Sequence, residues 1–290
     1  MRHTLAVRYV AALGLVLLAN PAAPGEGPLP DLHAFLPEVR ARLQTDAQRQ
    51  YGYTYLETQR HTTLDRAGRP AGTSVKVIES HPGFPGEVRW ERVVARDGTP
   101  VSEAELKKAD EERQRQTKDY TQTLARQTNA DRAKQEREWD KQRRELADSV
   151  DDVFRVYEIV MLGREPVDGH DTIVFSLTPR PGARAISEDG QWFRHFKGRA
   201  WISESEYELV RLDVEAIDDV DIGMGLLARV RKGTDASFER RKANGEGWLP
   251  SRTRYTMSAR VLLLKQVRES VTSEFSDYRK AATAGQPGQR

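Results

Sequence analysis

The feature that most constrains this chain is a period-two alternation that starts at Tyr51, is broken once, and then runs almost to the end. Tyr51, Tyr53 and Tyr55 alternate with Gly52 and Thr54, Val75 alternates with Val77, and Val88-Arg89-Trp90-Glu91 carries the pattern towards Val94. Alternation of this kind puts every second side chain on one face of a strand. Turn chemistry separates the runs, at Asp65 to Pro70, His81 to Gly86 and Asp97-Gly98. After Asp151 the pattern resumes. Val153 to Leu162 is β-branched and aromatic, Ile173, Phe175 and Leu177 alternate, and Val210, Leu212 and Val214 share one face of a hairpin strand. Leu226 to Arg241, Trp248 to Leu263 and Val267 to Tyr278 read as three long strands joined by Asn244-Gly245 and Lys265-Gln266. The expected total is about ten strands, and connections this short force antiparallel pairing. The fold class is therefore mainly β, with helices at two places.

The first helix is expected over residues 31 to 50, where Leu32, Phe35, Leu36, Val39 and Leu43 form one stripe suited to covering a sheet. Pro37 lacks an amide hydrogen and is best tolerated in a first turn, so the regular part is expected to begin near it. The second helical region is the interruption itself. Residues 102–147 hold no Gly or Pro, and 23 of their 46 positions are charged, 12 basic and 11 acidic. Ser102-Glu103-Ala104-Glu105 fits a capping box, and acid-first pairs such as Glu103/Lys107 and Glu111/Arg115 support the helix beyond it. One continuous helix would reach about 70 Å. A break is the other option, because Thr128-Asn129-Ala130-Asp131 can cap a second helix and make a hairpin. Balanced charge is how an exposed helix stays soluble, and it also suits a partner-binding arm.

Compartment follows from the N-terminus. Arg2 and Arg8 precede or begin an eleven-residue apolar run, Tyr9 to Ala19, and Asn20 to Gly25 offers a small-residue exit. That is the layout of a signal peptide over residues 1–25, too short to span a bilayer as a helix of about 20 residues. Its removal leaves 44 basic against 44 acidic residues, because residues 1–25 contain two arginines and no acid. A neutral chain lacks the basic excess that nucleic acid binding requires. The expected location is periplasmic, with residues 26–279 as a single domain, no membrane span in it, and residues 280–290 as a disordered tail. With no cysteine present, disulfides, thiolate metal sites and cysteine nucleophiles are excluded.

No motif for bond-making chemistry stands out. His3, His33, His61, His81, His170 and His195 form no His-x-x-x-His pair, and there is no nucleophile elbow or P-loop. Asp218, Asp219 and Asp221 before Gly223 lack calcium-loop spacing, and Gly223-Met224-Gly225 lacks the third glycine of a dinucleotide loop. The reading is a non-enzyme with no cofactor and no metal.

Three short phrases point further: Gly163 to Gly169, Gly198-Arg199-Ala200-Trp201-Ile202 with Leu209-Val210-Arg211, and Gly247-Trp248-Leu249-Pro250-Ser251. Together with the element order over residues 31–279, they resemble the outer-membrane lipoprotein-sorting (LolA/LolB-like) superfamily of periplasmic half-barrels. The resemblance implies an open half-barrel lidded by helices, whose concave apolar face holds acyl chains. The long charged insertion departs from the compact carriers of that superfamily. Candidates for the apolar face are Trp90, Phe175, Trp201, Leu212, Trp248 and Phe275, with ordinary core packing as their other role. The implied partners are an acyl chain of a lipid or lipoprotein, or an envelope protein engaged through residues 102–147.

Overall fold

The computed structural model describes residues 27–83, 89–222, 228–243, 245, 247–261 and 265–281. The signal-like segment, the Gly223-Met224-Gly225 phrase and residues 282–290 lie outside them. In chain order the elements are α1 (Leu32–Tyr51), β1 (Tyr53–Leu64), β2 (Pro70–His81), β3 (Trp90–Arg96), β4 (Thr99–Pro100), α2 (Glu103–Arg126) and α3 (Asn129–Val156). They continue with β5 (Tyr157–Val167), β6 (His170–Pro179), α4 (Gly190–Phe193), β7 (Phe196–Ser203), β8 (Leu209–Ala216), β9 (Val220–Ile222), β10 (Ala228–Val230), β11 (Asp235–Ala243), β12 (Gly247–Val261) and β13 (Lys265–Lys280).

All strands join one antiparallel sheet. Its main path of eleven strands runs β4-β3-β2-β1-β13-β12-β11-β8-β7-β6-β5, with β9 and β10 attached beside β12. The path does not close, since β4 and β5 are its two ends. The helical pair α2 and α3 is the chain's connection from one end to the other.

The structure resolves the interruption as two helices. Thr128 caps α3, with its hydroxyl accepting from Asp131 N and its own N–H donating to the Asp131 carboxylate, a reciprocal capping box. Ser102 caps α2 with its hydroxyl alone, accepting from Glu105 N at 3.2 Å, because the Glu105 carboxylate that would complete a capping box is taken by Arg96. However, α3 continues to Val156, through residues whose β-branched character reads as strand from Val153. Tertiary contacts override that local preference. Asp151 takes two hydrogen bonds from Arg40 of α1, Val156 is buried, and the fully buried Asp152 carboxylate accepts from Ile186 N, Ser187 N and the Ser187 hydroxyl. Burial alone would raise the Asp152 carboxyl, but these donors, joined by Arg155, hold it below the usual carboxylate range.

Two further departures have local causes. Pro37 sits inside α1, whose start is fixed upstream by the Asp31 side chain accepting from Ala34 N at 2.9 Å. Pro37 is exposed, so water can satisfy the carbonyl that it leaves unpaired. Leu226 to Arg241 is not one strand, because a turn at Gly233, with φ of +83°, separates β10 from β11. Lys265 and Gln266 pair with Val261 and Arg260 rather than forming a turn.

Helix α1 defines the inner face of the sheet. Phe35 and Val39 pack with Tyr157, Ile173, Phe175, Leu177, Ala200 and Ile202, and Leu209 and Leu212 join at the margin. The Phe35 ring lies 5.7 Å from Phe175 and 5.0 Å from Tyr207. Fully burying a side chain of this size contributes roughly 1.5–3 kcal/mol, so this cluster is the main core. Burial pushes the Tyr157 hydroxyl up to about 12. A bulge opposite Trp201/Ile202 brings Leu209 into register with Ile202. The inner face of β8 is therefore shared by Leu209 and Leu212, instead of following strict alternation from Val210.

Candidate functional site

Register places the side chains. One cross-strand row on the inner face reads Phe175, Ala200, Leu212, Phe238, Thr253, Ser273, Gln59, from β6 through to β1. The next reads Leu177, Gly198, Val214, Ala236, Tyr255, Val271, His61. The row one residue displaced from the first, on the opposite face, reads Val174, Trp201, Arg211, Glu239, Arg252, Glu274. Along that outer row Val174 and Trp201 are buried, and charge alternates from Arg211 onward towards the exposed Arg252 and Glu274, while apolar groups concentrate on the inner face.

The inner face has two chemical zones. Over β5 to β8 it is sealed by α1. From β11 to β2 the same face continues with a second cluster, which among the described residues consists of Ala243, Leu249 and Tyr278 with Tyr53, Tyr55 and Phe275 and includes no helix residue. In this stretch Phe238, Ile78 and Phe275 are half-buried, and Tyr255 is 39% exposed. Polar groups are set among them. Ser273 Oγ donates to Glu57 Oε1 at 2.5 Å and Gln59 Nε2 reaches the same oxygen at 3.3 Å. Arg89 donates to Ser80 Oγ at 2.8 Å and to the Tyr53 carbonyl, and its guanidinium lies 4.6 Å from the centre of the Tyr55 ring. Partial burial, and then the Glu57 carboxylate, push the Glu91 carboxyl up, against the opposing influence of Arg89 and Ser80. Burial likewise raises the Tyr278 hydroxyl, which donates to the Pro250 carbonyl at 2.7 Å.

The six residues singled out in the sequence separate into three places. Phe175, Leu212 and Phe275 lie on the inner face, Phe175 deep under α1 and the other two at or beyond its margin. Trp201 lies on the outer face opposite Val174 and Arg211, with the Arg211 guanidinium 4.8 Å from its ring centre. Trp90 belongs to the outer face too. It pairs with His81 and is approached by Arg92 and by Arg113 of α2. Trp248 is held at one end of the sheet, where its indole N–H donates to Glu206 at 3.0 Å and its ring packs 4.6 Å from His170. A single concave face for all six does not form, because aromatic character says nothing of strand parity. Tyr55, Phe238, Tyr255 and Val271, not among the six, share the inner face with Leu212, which follows from parity once the partner strands are known.

What this arrangement can do is bind. Among the described residues no three His, Asp or Glu side chains are grouped to hold a metal ion. The inner face offers apolar contact area interleaved with a few hydrogen-bonding groups, the composition of a site for an amphipathic molecule. A cavity of about 660 Å³ also lies over β6, β7, β8, β11 and β12. Its charged and hydroxyl lining, Lys197, Arg199, Asp213, Glu215 and Ser237 among others, belongs to the outer face. No helix of the described residues is long and apolar enough to cross a membrane.

No family model matches the chain, and no curated protein does. Solved structures do show similarity. One is a DUF1329 family protein from Desulfovibrio piger, at 12% identity and TM-score 0.31, covering 86% of this chain and 95% of that one. A putative outer membrane lipoprotein-sorting protein domain from Vibrio parahaemolyticus gives the same values. A LolA superfamily protein from Nitrosomonas europaea, at 12% identity and TM-score 0.31, covers 85% of this chain and 93% of its own.

Proposed function

We propose that this chain is an exported, non-catalytic protein that binds a hydrophobic or amphipathic ligand, above all the acyl chains of a lipid or lipoprotein, on the inner face of its sheet. The observation that supports this most is the continuation of that face beyond α1. Leu212 marks the margin of the cluster that α1 covers, and beyond it Phe238, Tyr255 and Phe275 present apolar area where no helix residue among the described residues joins the cluster. Each methylene placed there contributes about 0.8 kcal/mol, so eight contribute roughly 6 kcal/mol before the cost of immobilising the ligand. Export rests on the basic, apolar and small-residue order of residues 1–25, and the periplasm is the compartment proposed with it.

The test is direct. Native mass spectrometry and organic extraction of the purified protein should recover lipid, and a fluorescent acyl probe should bind with saturation. Phe238→Glu and Tyr255→Glu should each weaken the probe at least tenfold. Recovery of no lipid together with no uptake of the probe overturns the reading.

A second reading has its own observation. Helix α2 buries none of its 24 residues, and α2 meets the sheet near its start, where Asp110 and Glu105 receive Arg92 and Arg96. An exposed charged arm rooted at one end suits an envelope protein partner. Reversing charge at Lys118, Arg126, Lys134 and Arg137 separates the two readings: a partner-binding arm loses its partner while acyl-probe binding is unchanged.

A further inference from the structure

Several arginines of this chain are matched with acids: Arg40 with Asp151, Arg92 with Glu79 and Asp110, Arg164 with Glu204, Arg211 with Asp213, Arg252 with Glu274. Arg180, Arg184 and Arg194 have no such partner among the described residues, and they surround one cavity. Arg180, Arg184 and Arg194, with His195, line a depression of about 580 Å³ at the end of the sheet where β6 finishes and β7 begins. A further cavity of about 270 Å³ beside it shares Arg184 and Arg194. None of the three guanidiniums meets a carboxylate among the described residues. Arg180 uses Nη1 on the Phe154 and Arg155 carbonyls at the end of α3, at 3.1 and 2.9 Å. Arg194 Nε donates to His195 Nε2 at 3.1 Å. Arg184 makes no side-chain hydrogen bond or ion pair among the described residues. Asp218 is the one acid in the lining, and it is turned to His195 Nδ1 at 2.8 Å. Asp219, next in the chain, accepts from Lys232 N instead.

The loop that carries these groups is built rather than loose. The buried Asp152 carboxylate grips residues 186 and 187. The Ser187 hydroxyl accepts from Gly190 N at 2.9 Å, and a side chain at Gly190 would lie 2.3 Å from Asp152 Oδ2. Tyr157 OH donates to the Phe193 carbonyl at 2.9 Å, and Ile217 N to the His195 carbonyl at 2.9 Å. A loop fixed at so many points gains nothing from gathering like charges around a hollow, where their repulsion opposes folding. The gathering makes sense if an anion offsets it, and guanidinium forks match the paired oxygens of phosphate. Two unopposed positive charges, three guanidiniums against Asp218, suit a dianion.

We infer that the Arg180–Arg184–Arg194–His195 cavity is an anion site for a phosphate group, whether from a lipid headgroup or a soluble phosphate. The inference stands apart from the acyl-chain reading, since it rests on a different end of the molecule.

The test titrates the purified chain at low ionic strength with inorganic phosphate by calorimetry, and with vesicles of phosphatidic acid in phosphatidylcholine, against pure phosphatidylcholine. Arg184→Glu/Arg194→Glu should weaken binding at least tenfold without lowering the thermal midpoint, because neither side chain has a carboxylate partner to lose. Lys107→Glu/Lys108→Glu on the remote α2 should stay within twofold of the original chain. Binding of phosphate alone identifies a soluble ligand. Binding of phosphatidic acid vesicles, with or without free phosphate, and its loss in the double variant identify a headgroup. No binding of either probe, equal binding by the arginine variant, or an equal loss in the α2 variant overturns the proposal.

Discussion

Among the described residues, the inner face meets helix α1 over one half of the sheet and no helix residue in the cluster of the other, although a single register runs through both. Across β6 and β7 the first row is Phe175 and Ala200, with α1 lying on it, and Phe175 is 2% exposed. Past β11 the same row becomes Thr253, Ser273 and Gln59, and the neighbouring row shows Tyr255 to solvent. The comparison teaches that alternation specifies which side chains share a face, while a covering helix decides whether that face is core or surface. The sealed half is the stabilising one.

The largest effect expected from this contrast is at Phe175. Phe175→Ala should cost about 3–5 kcal/mol in urea unfolding, the range for emptying a buried aromatic position. Phe275→Ala, half-buried in the other half, should cost about 1–2 kcal/mol on the same scale. If the two variants unfold at the same urea concentration, the division into halves is wrong. Asp152→Ala ranks just below Phe175→Ala, at about 3 kcal/mol, because it strands the N–H groups of residues 186 and 187 in a buried site. Hydrogen exchange should then show residues 183–195 opening before the strands. Retained protection of that loop would mean that Asp152 does not anchor it.

The smallest effects are in the pH dependence, and they have opposite signs in the two regions. Asp152 has a lowered pKa in the folded chain, so its stabilisation is present above the ordinary carboxylate value, about 4, and is lost as pH falls through the lower folded value. Glu91 has a raised one, so its contribution favours folding below the ordinary glutamate value, about 4.3, and is lost as pH rises through the folded value. Glu91→Gln should therefore be neutral or slightly stabilising at pH 7, and that difference should vanish in thermal melts below about pH 4. A Glu91→Gln chain that is less stable at pH 7 would place Glu91 in a favourable ion pair instead of beside the Glu57 carboxylate.

Much of the architecture was legible because it is written in local pattern. Alternation from Tyr53, turn residues such as Asp97-Gly98, the Thr128 capping box, the hydroxyl cap of Ser102, and the apolar stripe of Phe35 and Val39 each act over a few residues and appear in the structure, whereas Tyr51, read as opening the alternation, closes α1. Reading failed where distant groups outvoted local preference. Asp151 and Asp152 draw α3 four residues past Asp152 by pairing with Arg40 and with the loop at Ile186. Strand parity put Trp90 and Trp201 on the outer face, and no property of an isolated tryptophan reveals which face it takes.

By itself, then, the sequence determined an antiparallel sheet interrupted by a charged helical insertion, since hydrophobic period and turn chemistry are properties of neighbouring residues, while the division of that insertion into two helices came from the structure. Only the tertiary structure decided which half of the sheet α1 covers, which aromatic groups share the uncovered face, and that Arg180, Arg184 and Arg194 meet around one cavity. Those outcomes depend on register, bulges and buried hydrogen bonds between residues far apart in the chain, where sequence distance carries no information about separation in space.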